Sequence, residues 1–136
     1  MRALIVDDDK ANQFILQQFL NPFAKTAVAN DGEEGLAMFL KAIESQLPYD
    51  LICLDIMMPG IDGAETLRRI RAEEANRGLL GLDGLKVIMI SAVADTLTVV
   101  NAFRDGCEAY LIKPINRDDL IRNLKVLKLI PDTAGV

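Results

Sequence analysis

Residues 50–63 read DLICLDIMMPGIDG: a short apolar run, an aspartate, and then a loop rich in chain breakers. Short apolar runs bounded by turn residues are typical of buried strands in a parallel sheet that helices cover on both faces. Three further apolar runs also end on charged or hydroxyl side chains. Residues 3–6 lead into Asp7, Asp8 and Asp9, residues 87–90 lead into Ser91, and residues 110–112 lead into Lys113 and Pro114.

Amphipathic patterns between these runs predict an alternating order of strands and helices. A helix over 10–20 would bury Ala11, Phe14, Ile15 and Phe19, and a short strand follows at 26–29. Further helices are predicted near 36–43, 64–74, 97–106 and 120–127, the third of these with Leu97, Val100 and Phe103 as its apolar stripe. Right-handed crossovers turn a (βα)5 order into an α/β, doubly wound, three-layer sandwich.

Length and composition predict one domain. With 136 residues, 51% of them hydrophobic and 26% charged, the chain can bury a core without disulfides. We expect the domain to span residues 1–130, with a flexible tail at 131–136. The connection 76–84 carries three glycines and is predicted to be flexible. The apolar runs are too short to cross a bilayer and no secretory pattern opens the chain, which predicts a cytoplasmic protein without membrane insertion.

Composition also excludes several kinds of function. A net charge of −5 argues against direct contact with nucleic acid, which needs clustered Lys and Arg. Histidine is absent, so the chain cannot form a histidine-based triad or carry phosphohistidine itself. Cys53 and Cys107 have no metal-ligand spacing, and Cys53 is best interpreted as a small core residue.

Two adjacent carboxylates, Asp7 and Asp8, follow the first strand. Such a pair needs a cation or a raised pKa if it is buried, and hard oxygen ligands suit Mg²⁺. The simpler interpretation is that Asp8 or Asp9 caps the helix that starts near Lys10. Asp9 is expected to be a surface or capping residue.

Asp55, Lys113 and Ser91 follow three other strands, and ligands bind at this edge of parallel sheets. A carboxylate beside Mg²⁺ can attack phosphorus, and a lysine can pair with phosphate. Ser91 could donate a hydrogen bond to a phosphoryl oxygen. Each residue alone also fits an ordinary role, as a turn former or a solvated side chain. Together, in this order, they predict phosphoryl chemistry.

The combined motifs resemble the receiver domains of two-component response regulators, which are CheY-like. The resemblance covers almost the whole chain and implies a flavodoxin-like sheet with strand order 2-1-3-4-5. The stretches that carry it are LIVDD at 4–8, DLICLDIMMPGIDG at 50–63, ISA at 90–92 and AYLIKP at 109–114.

By this resemblance, Asp55 is the phosphoacceptor. Mg²⁺, or Mn²⁺ in its place, would be bound by Asp8, Asp55 and the backbone carbonyl of Met57, with Asp7 acting mainly through water. Lys113 would pair with the acyl phosphate.

The resemblance also implies a switch, in which Ser91 moves toward the phosphoryl group and Tyr110 turns inward. This would change the surface formed by the fourth helix, the fifth strand and the fifth helix. Without the resemblance, Tyr110 would be a half-buried strand aromatic. In this family the side chains at Met57 and Val93 tune hydrolysis, and two apolar residues there predict a slow loss of the phosphoryl group.

The implied function is that of a signalling phosphoacceptor rather than an enzyme with a separate substrate, although it assists its own phosphorylation and dephosphorylation. The partners would be a sensor histidine kinase or phosphotransfer protein and a downstream protein target, and a phosphorylation-dependent dimer stays open. The alternatives are a phosphohydrolase of the haloacid dehalogenase type, which would want an aspartate where Met57 stands, and a pseudo-receiver. No output domain follows Lys128, so we expect a single-domain regulator or a piece of a longer protein.

Overall fold

The computed structural model describes residues 1–79 and 84–135. Within them, five strands alternate with five helices, as the sequence predicts. Each helix begins after an aspartate or asparagine whose side chain accepts hydrogen bonds from first-turn amides. The elements are β1 (Arg2–Val6), α1 (Lys10–Leu20), β2 (Lys25–Ala29), α2 (Gly32–Glu44), β3 (Leu51–Leu54), α3 (Gly63–Asn76), β4 (Lys86–Ser91), α4 (Thr96–Arg104), β5 (Ala109–Ile112) and α5 (Arg117–Val126).

The strands form one parallel sheet in the order β2-β1-β3-β4-β5, which confirms the predicted topology. The register pairs Val6 with Leu54, Leu54 with Met89, and Ser91 with Ile112. The strands therefore end together at one edge of the sheet. The residues that follow β1, β3 and β5 emerge side by side there, and Ser91 is the last residue of β4.

Helices cover both faces of the sheet. Alternate strand residues such as Leu4 and Ile52 pack toward α2 and α3, while Ile5 and Cys53 pack toward α1 and α5. All four residues of β3 are buried, as expected for a central parallel strand. The predicted three-layer sandwich is confirmed, and Cys53 is a core residue whose pKa burial raises to about 12.

The predicted buried face of α1 is wrong for Ala11, Phe14 and Ile15, while Phe19 is partly buried against the core. The helix buries Gln13, Leu16 and Leu20, whereas Phe14 and Ile15 are exposed, Phe14 by 61%. Two apolar stripes at helical spacing run along this helix, and its orientation decides between them. Gln13, on the same side as Leu16, donates hydrogen bonds to the Asp7 carbonyl after β1 and to Asn30 Oδ1 after β2, which helps to hold this side against the sheet.

The apolar stripe that predicts α4 lies on the surface of this helix rather than in the core. Leu97, Val100 and Phe103 are exposed, and the buried residue of this helix is Ala102. A small residue lets α4 approach the core closely, while the larger apolar side chains point outward. The result is an apolar strip on the surface of α4.

Two predictions concern segments at the limits of the described residues. The connection predicted at 76–84 includes 80–83, which lie outside them, while α3 itself ends at Asn76. In the segment predicted as a tail, the Ala134 amide donates to the Pro131 carbonyl at 3.0 Å, and Ala134 packs against the core. Among the described helices, none has the length and apolarity that crossing a bilayer requires.

Candidate functional site

Three carboxylates meet at the edge where the strands end. Oxygen atoms of Asp7, Asp8 and Asp55 lie within 4.8 Å of one another. Asp7 and Asp55 are buried, whereas Asp8 is exposed. The neighbouring Asp9 accepts hydrogen bonds from the amides of Ala11 and Asn12, which confirms its predicted capping role.

Asp7 is fixed by hydrogen bonds at every polar atom. Its amide donates to the Ala29 carbonyl at 3.1 Å, which extends the pairing of β1 with β2. Its Oδ1 accepts from the Asp9 amide at 2.9 Å, and its Oδ2 accepts from Lys113 Nζ at 3.0 Å. Its carbonyl accepts from Gln13 Nε2 at 2.6 Å. This carboxylate is therefore held in one orientation.

Asp55 extends directly from the central strand. Its amide donates to the Val6 carbonyl at 3.0 Å, and its Oδ1 accepts from the Met57 amide at 3.3 Å. Burial raises the pKa of its carboxyl group, and the nearby Lys113 ammonium opposes that rise. The backbone is crowded here, because a Cβ at Gly63 would lie 2.1 Å from the Asp55 carbonyl oxygen. Glycine at 63 thus lets α3 begin against the site.

Lys113 bridges the two buried carboxylates. Its Nζ donates to Asp7 Oδ2 at 3.0 Å and to Asp55 Oδ2 at 3.1 Å, and its amide donates to the Ser91 carbonyl. Burial disfavours the ammonium, but the bonds and charges of the two carboxylates outweigh it and raise the pKa of Lys113. The Lys113–Pro114 peptide bond is cis.

Ser91 and Tyr110 meet at Val93, on the loop between β4 and α4. The buried Ser91 accepts from the Val93 amide through Oγ at 3.1 Å. The Tyr110 hydroxyl donates to the Val93 carbonyl, and its half-buried ring packs against the core. Burial raises the pKa of Tyr110. The two predicted switch residues are thus linked through a single loop residue.

The chemistry of this cluster fits a divalent cation. When all are ionised, three carboxylates and one ammonium leave two uncompensated negative charges, and the donors are the hard oxygens that Mg²⁺ prefers. Lys113 contacts both buried acids, while Asp8 faces solvent. In the structure the Met57 amide donates to Asp55 Oδ1. Metal binding by the Met57 carbonyl stays a prediction.

Sequence analysis missed Gln13, which is buried and contacts the Asp7 carbonyl. The signal that could have found it is its position in a helical stripe with Leu16 and Leu20. A side-chain amide buried in such a stripe needs hydrogen-bond partners nearby. Asn30 was also missed, and its Oδ1 accepts hydrogen bonds from Gln13 and from Lys10.

Comparison with known proteins identifies the family. The response regulator receiver domain family matches residues 3–125. The chain belongs to this family. It is a receiver domain of two-component response regulators, as the sequence predicts, and this is a signalling family.

Relatives of known sequence include longer regulators. Transcriptional regulatory protein ResD of Bacillus subtilis is 30% identical over 126 residues, which cover 93% of this chain and 47% of ResD. Transcriptional regulatory protein AfsQ1 of Streptomyces coelicolor is 37% identical over 113 residues, covering 82% of this chain and 44% of AfsQ1. The receiver chain thus spans about half the length of the curated relatives it matches.

Solved structures share the fold over nearly the whole chain. The receiver domain of Francisella response regulator 1452 has 34% identity and a TM-score of 0.73, covering 93% of this chain and 94% of that one. A chain of the CheX–CheY–BeF3–Mg complex from Borrelia burgdorferi has 26% identity and a TM-score of 0.80, covering 94% and 89%.

Proposed function

We propose that Asp55 accepts a phosphoryl group from a partner histidine kinase or phosphotransfer protein in a Mg²⁺-dependent reaction. The observation that carries this proposal is the Lys113 ammonium, which bonds to both buried carboxylates beside the exposed Asp8. Receiver domains of response regulators are phosphorylated by histidine kinases, and this chain contains no histidine of its own to carry the group.

The proposed metal ligands are Asp8, Asp55 and the Met57 carbonyl, with Asp7 acting mainly through water. Bound Mg²⁺, or Mn²⁺, would neutralise charge on the nucleophile and the phosphoryl oxygens. The similar chain from Borrelia burgdorferi comes from a complex that contains Mg and BeF3, a phosphoryl mimic. The excess negative charge of this cluster supports the same chemistry here.

In the transfer step, a carboxylate oxygen of Asp55 forms a bond to phosphorus while the bond from phosphorus to the donor histidine nitrogen breaks. The nitrogen keeps the electron pair, and Asp55 becomes an acyl phosphate. Lys113 already contacts Asp55 Oδ2 and can stay paired with the added oxygens. Lys113 therefore needs little movement to follow the transferred group.

The proposed switch runs through Val93. A phosphoryl oxygen would accept the Ser91 hydroxyl proton in a hydrogen bond and draw the loop toward Asp55. Tyr110 bonds to the same Val93, so it would move with the loop. The exposed apolar strip of α4 follows directly and offers a surface for a protein target. A phosphorylation-dependent dimer would likewise form through an exposed apolar surface such as the strip of α4.

We further propose that this domain controls a protein partner, without a separate substrate and without direct nucleic acid contact. The domain would comprise residues 1–130, with the tail at 131–136, and its cytoplasmic location is an expectation from the family. The haloacid dehalogenase alternative lacks support because Met57 stands where that class wants an acid. The pseudo-receiver alternative lacks support because each acidic and lysine position is occupied.

Beryllofluoride with Mg²⁺ tests this function without a kinase. We expect the mimic to shift the NMR signals of Ser91, Val93 and Tyr110 in the wild type but not in Asp55→Asn. Asp9→Asn is the matched control, since asparagine caps helices about as well as aspartate and should leave the response unchanged. Equal spectral responses in Asp55→Asn and the wild type would overturn the proposal.

A further inference from the structure

We propose that Gln13 is a positioning residue for the metal site, and this inference rests on the proposed function. Gln13 lies in the first turn of α1, on the side of the helix that faces the sheet, and only 6% of its surface is exposed. Its recorded side-chain hydrogen bonds go to groups other than the three carboxylates. Its target is the main-chain carbonyl of Asp7, at the point where the chain leaves β1 for the acidic loop.

The amide of Gln13 has two well-defined acceptors. Nε2 donates to the Asp7 carbonyl at 2.6 Å and to Asn30 Oδ1 at 2.9 Å. The same Asn30 oxygen accepts from Lys10 Nζ at 2.7 Å, which fixes its position in turn. The Gln13 side chain thus joins α1, the loop after β1, and the residue that follows β2.

This contact determines how Asp8 is presented. A peptide bond is planar and trans, so holding the Asp7 carbonyl also fixes the direction of the Asp8 amide and the position of the Asp8 Cα, from which its side chain leaves. Asp8 is the exposed member of the cluster, and its carboxylate lacks the burial that restrains Asp7. Gln13 therefore restrains the one exposed carboxylate among the proposed metal ligands.

The residue type supports a positional role. Gln13 shares its buried stripe with Leu16 and Leu20, where an apolar side chain would bury no amide of its own but would leave the Asp7 carbonyl without this donor. A buried amide is unfavourable unless its hydrogen bonds are made, and here they are made to the acidic loop and Asn30. Groups that orient metal ligands typically change metal affinity roughly 10- to 100-fold when they are removed.

The test replaces Gln13 by methionine, which has a similar length and no donor, in the full chain. Gln17→Met is the matched control, because Gln17 lies one turn further along α1 and donates only weakly, at 3.5 Å, to Thr26. Mg²⁺ affinity is measured by calorimetry, and folding by circular dichroism and urea titration. We expect Gln13→Met to raise the Kd for Mg²⁺ roughly 10-fold while Gln17→Met leaves it unchanged.

A second readout needs no metal. The amide signal of Asp8 in the NMR spectrum should shift in metal-free Gln13→Met and stay in place in Gln17→Met, which a general loss of stability would not produce. If Gln13→Met fails to fold, Asn30→Ala replaces it, since Asn30 is exposed and orients the Gln13 amide. It should weaken Mg²⁺ binding in the same direction.

The outcomes separate the two proposals. A wild type that does not bind Mg²⁺ would contradict the proposed function. A wild type that binds Mg²⁺ through Asp55, together with an unchanged Kd in Gln13→Met, or in Asn30→Ala where Gln13→Met does not fold, would overturn the role of Gln13 alone.

Discussion

Lys113 Nζ lies 3.1 Å from Asp55 Oδ2, although the two residues are 58 positions apart in the sequence. The pair forms because β3 and β5 end at the same edge of the sheet, on either side of β4. The same ammonium contacts Asp7, so one cation neutralises part of the charge of two buried acids. Any group added to Asp55 must therefore change the charges and hydrogen-bond acceptors around the Lys113 ammonium.

Replacing Lys113 by methionine should destabilise the metal-free protein. Removing one partner of a buried ion pair leaves an uncompensated charge and costs about 3 kcal/mol. Mg²⁺ should recover much of this loss, because it can neutralise the same carboxylates. Urea unfolding with and without Mg²⁺ measures both effects, with the exposed Lys25→Met as control. An equal loss of stability in both conditions would contradict this account.

The pH dependence of stability should reveal the burial of Asp55. Its pKa is raised above the ordinary value of 3.8, so the folded protein holds this proton more tightly than the unfolded chain. The ionised carboxylate therefore costs stability above the folded pKa, and the cost disappears as the pH falls through it. We expect Asp55→Asn to be more stable than the wild type at neutral pH.

That advantage should shrink in acid, where Asp55 of the wild type becomes protonated. Thermal unfolding from neutral to acidic pH measures the difference between the two proteins. An Asp55→Asn protein that is less stable at neutral pH would show that the carboxylate is net favourable, contrary to its raised pKa.

Mg²⁺ should stabilise the wild type by binding only the folded state. At a concentration one hundred times the Kd, the gain is about 2.7 kcal/mol, seen as a higher Tm. Asp8→Asn should lose most of the gain because a metal ligand is removed. Asp9→Asn carries the same charge change one residue away and should keep the stabilisation by Mg²⁺. Equal responses in both variants would exclude Asp8 as a ligand.

The acyl phosphate should be long-lived for a receiver domain. Met57 and Val93, at the two positions that tune hydrolysis in this family, are apolar and offer no polar group to orient an attacking water. We expect Met57→Asn to shorten the lifetime. The loss of label is followed after the phosphodonor is removed. Complete loss from the wild type within seconds would contradict the prediction.

The sequence predicts the sheet and the acidic edge well because both depend on local patterns. Buried apolar runs mark the strands, and the residues at their ends, such as Asp55 and Lys113, lie at the same edge of any parallel sheet. The capping role of Asp9 is equally local, since it depends on the first turn of one helix.

Helix orientation could not be predicted in the same way. On α1, Phe14 and Leu16 belong to competing apolar stripes, and tertiary contacts, which include the hydrogen bonds of Gln13 and the core packing of Leu16, decide which one is buried. The link between Ser91 and Tyr110 also depends on the path of a loop, which brings Val93 to both side chains. Such contacts between distant residues leave no periodic pattern.

The most direct test of the central claim is mass spectrometry after incubation with Mg²⁺ and a small phosphodonor. We predict that the intact wild type gains the mass of one phosphoryl group, that peptide mapping assigns it to Asp55, and that Asp55→Asn gains nothing. An equal gain of mass in Asp55→Asn, or no gain in the wild type, would contradict the assignment of Asp55 as the phosphoacceptor.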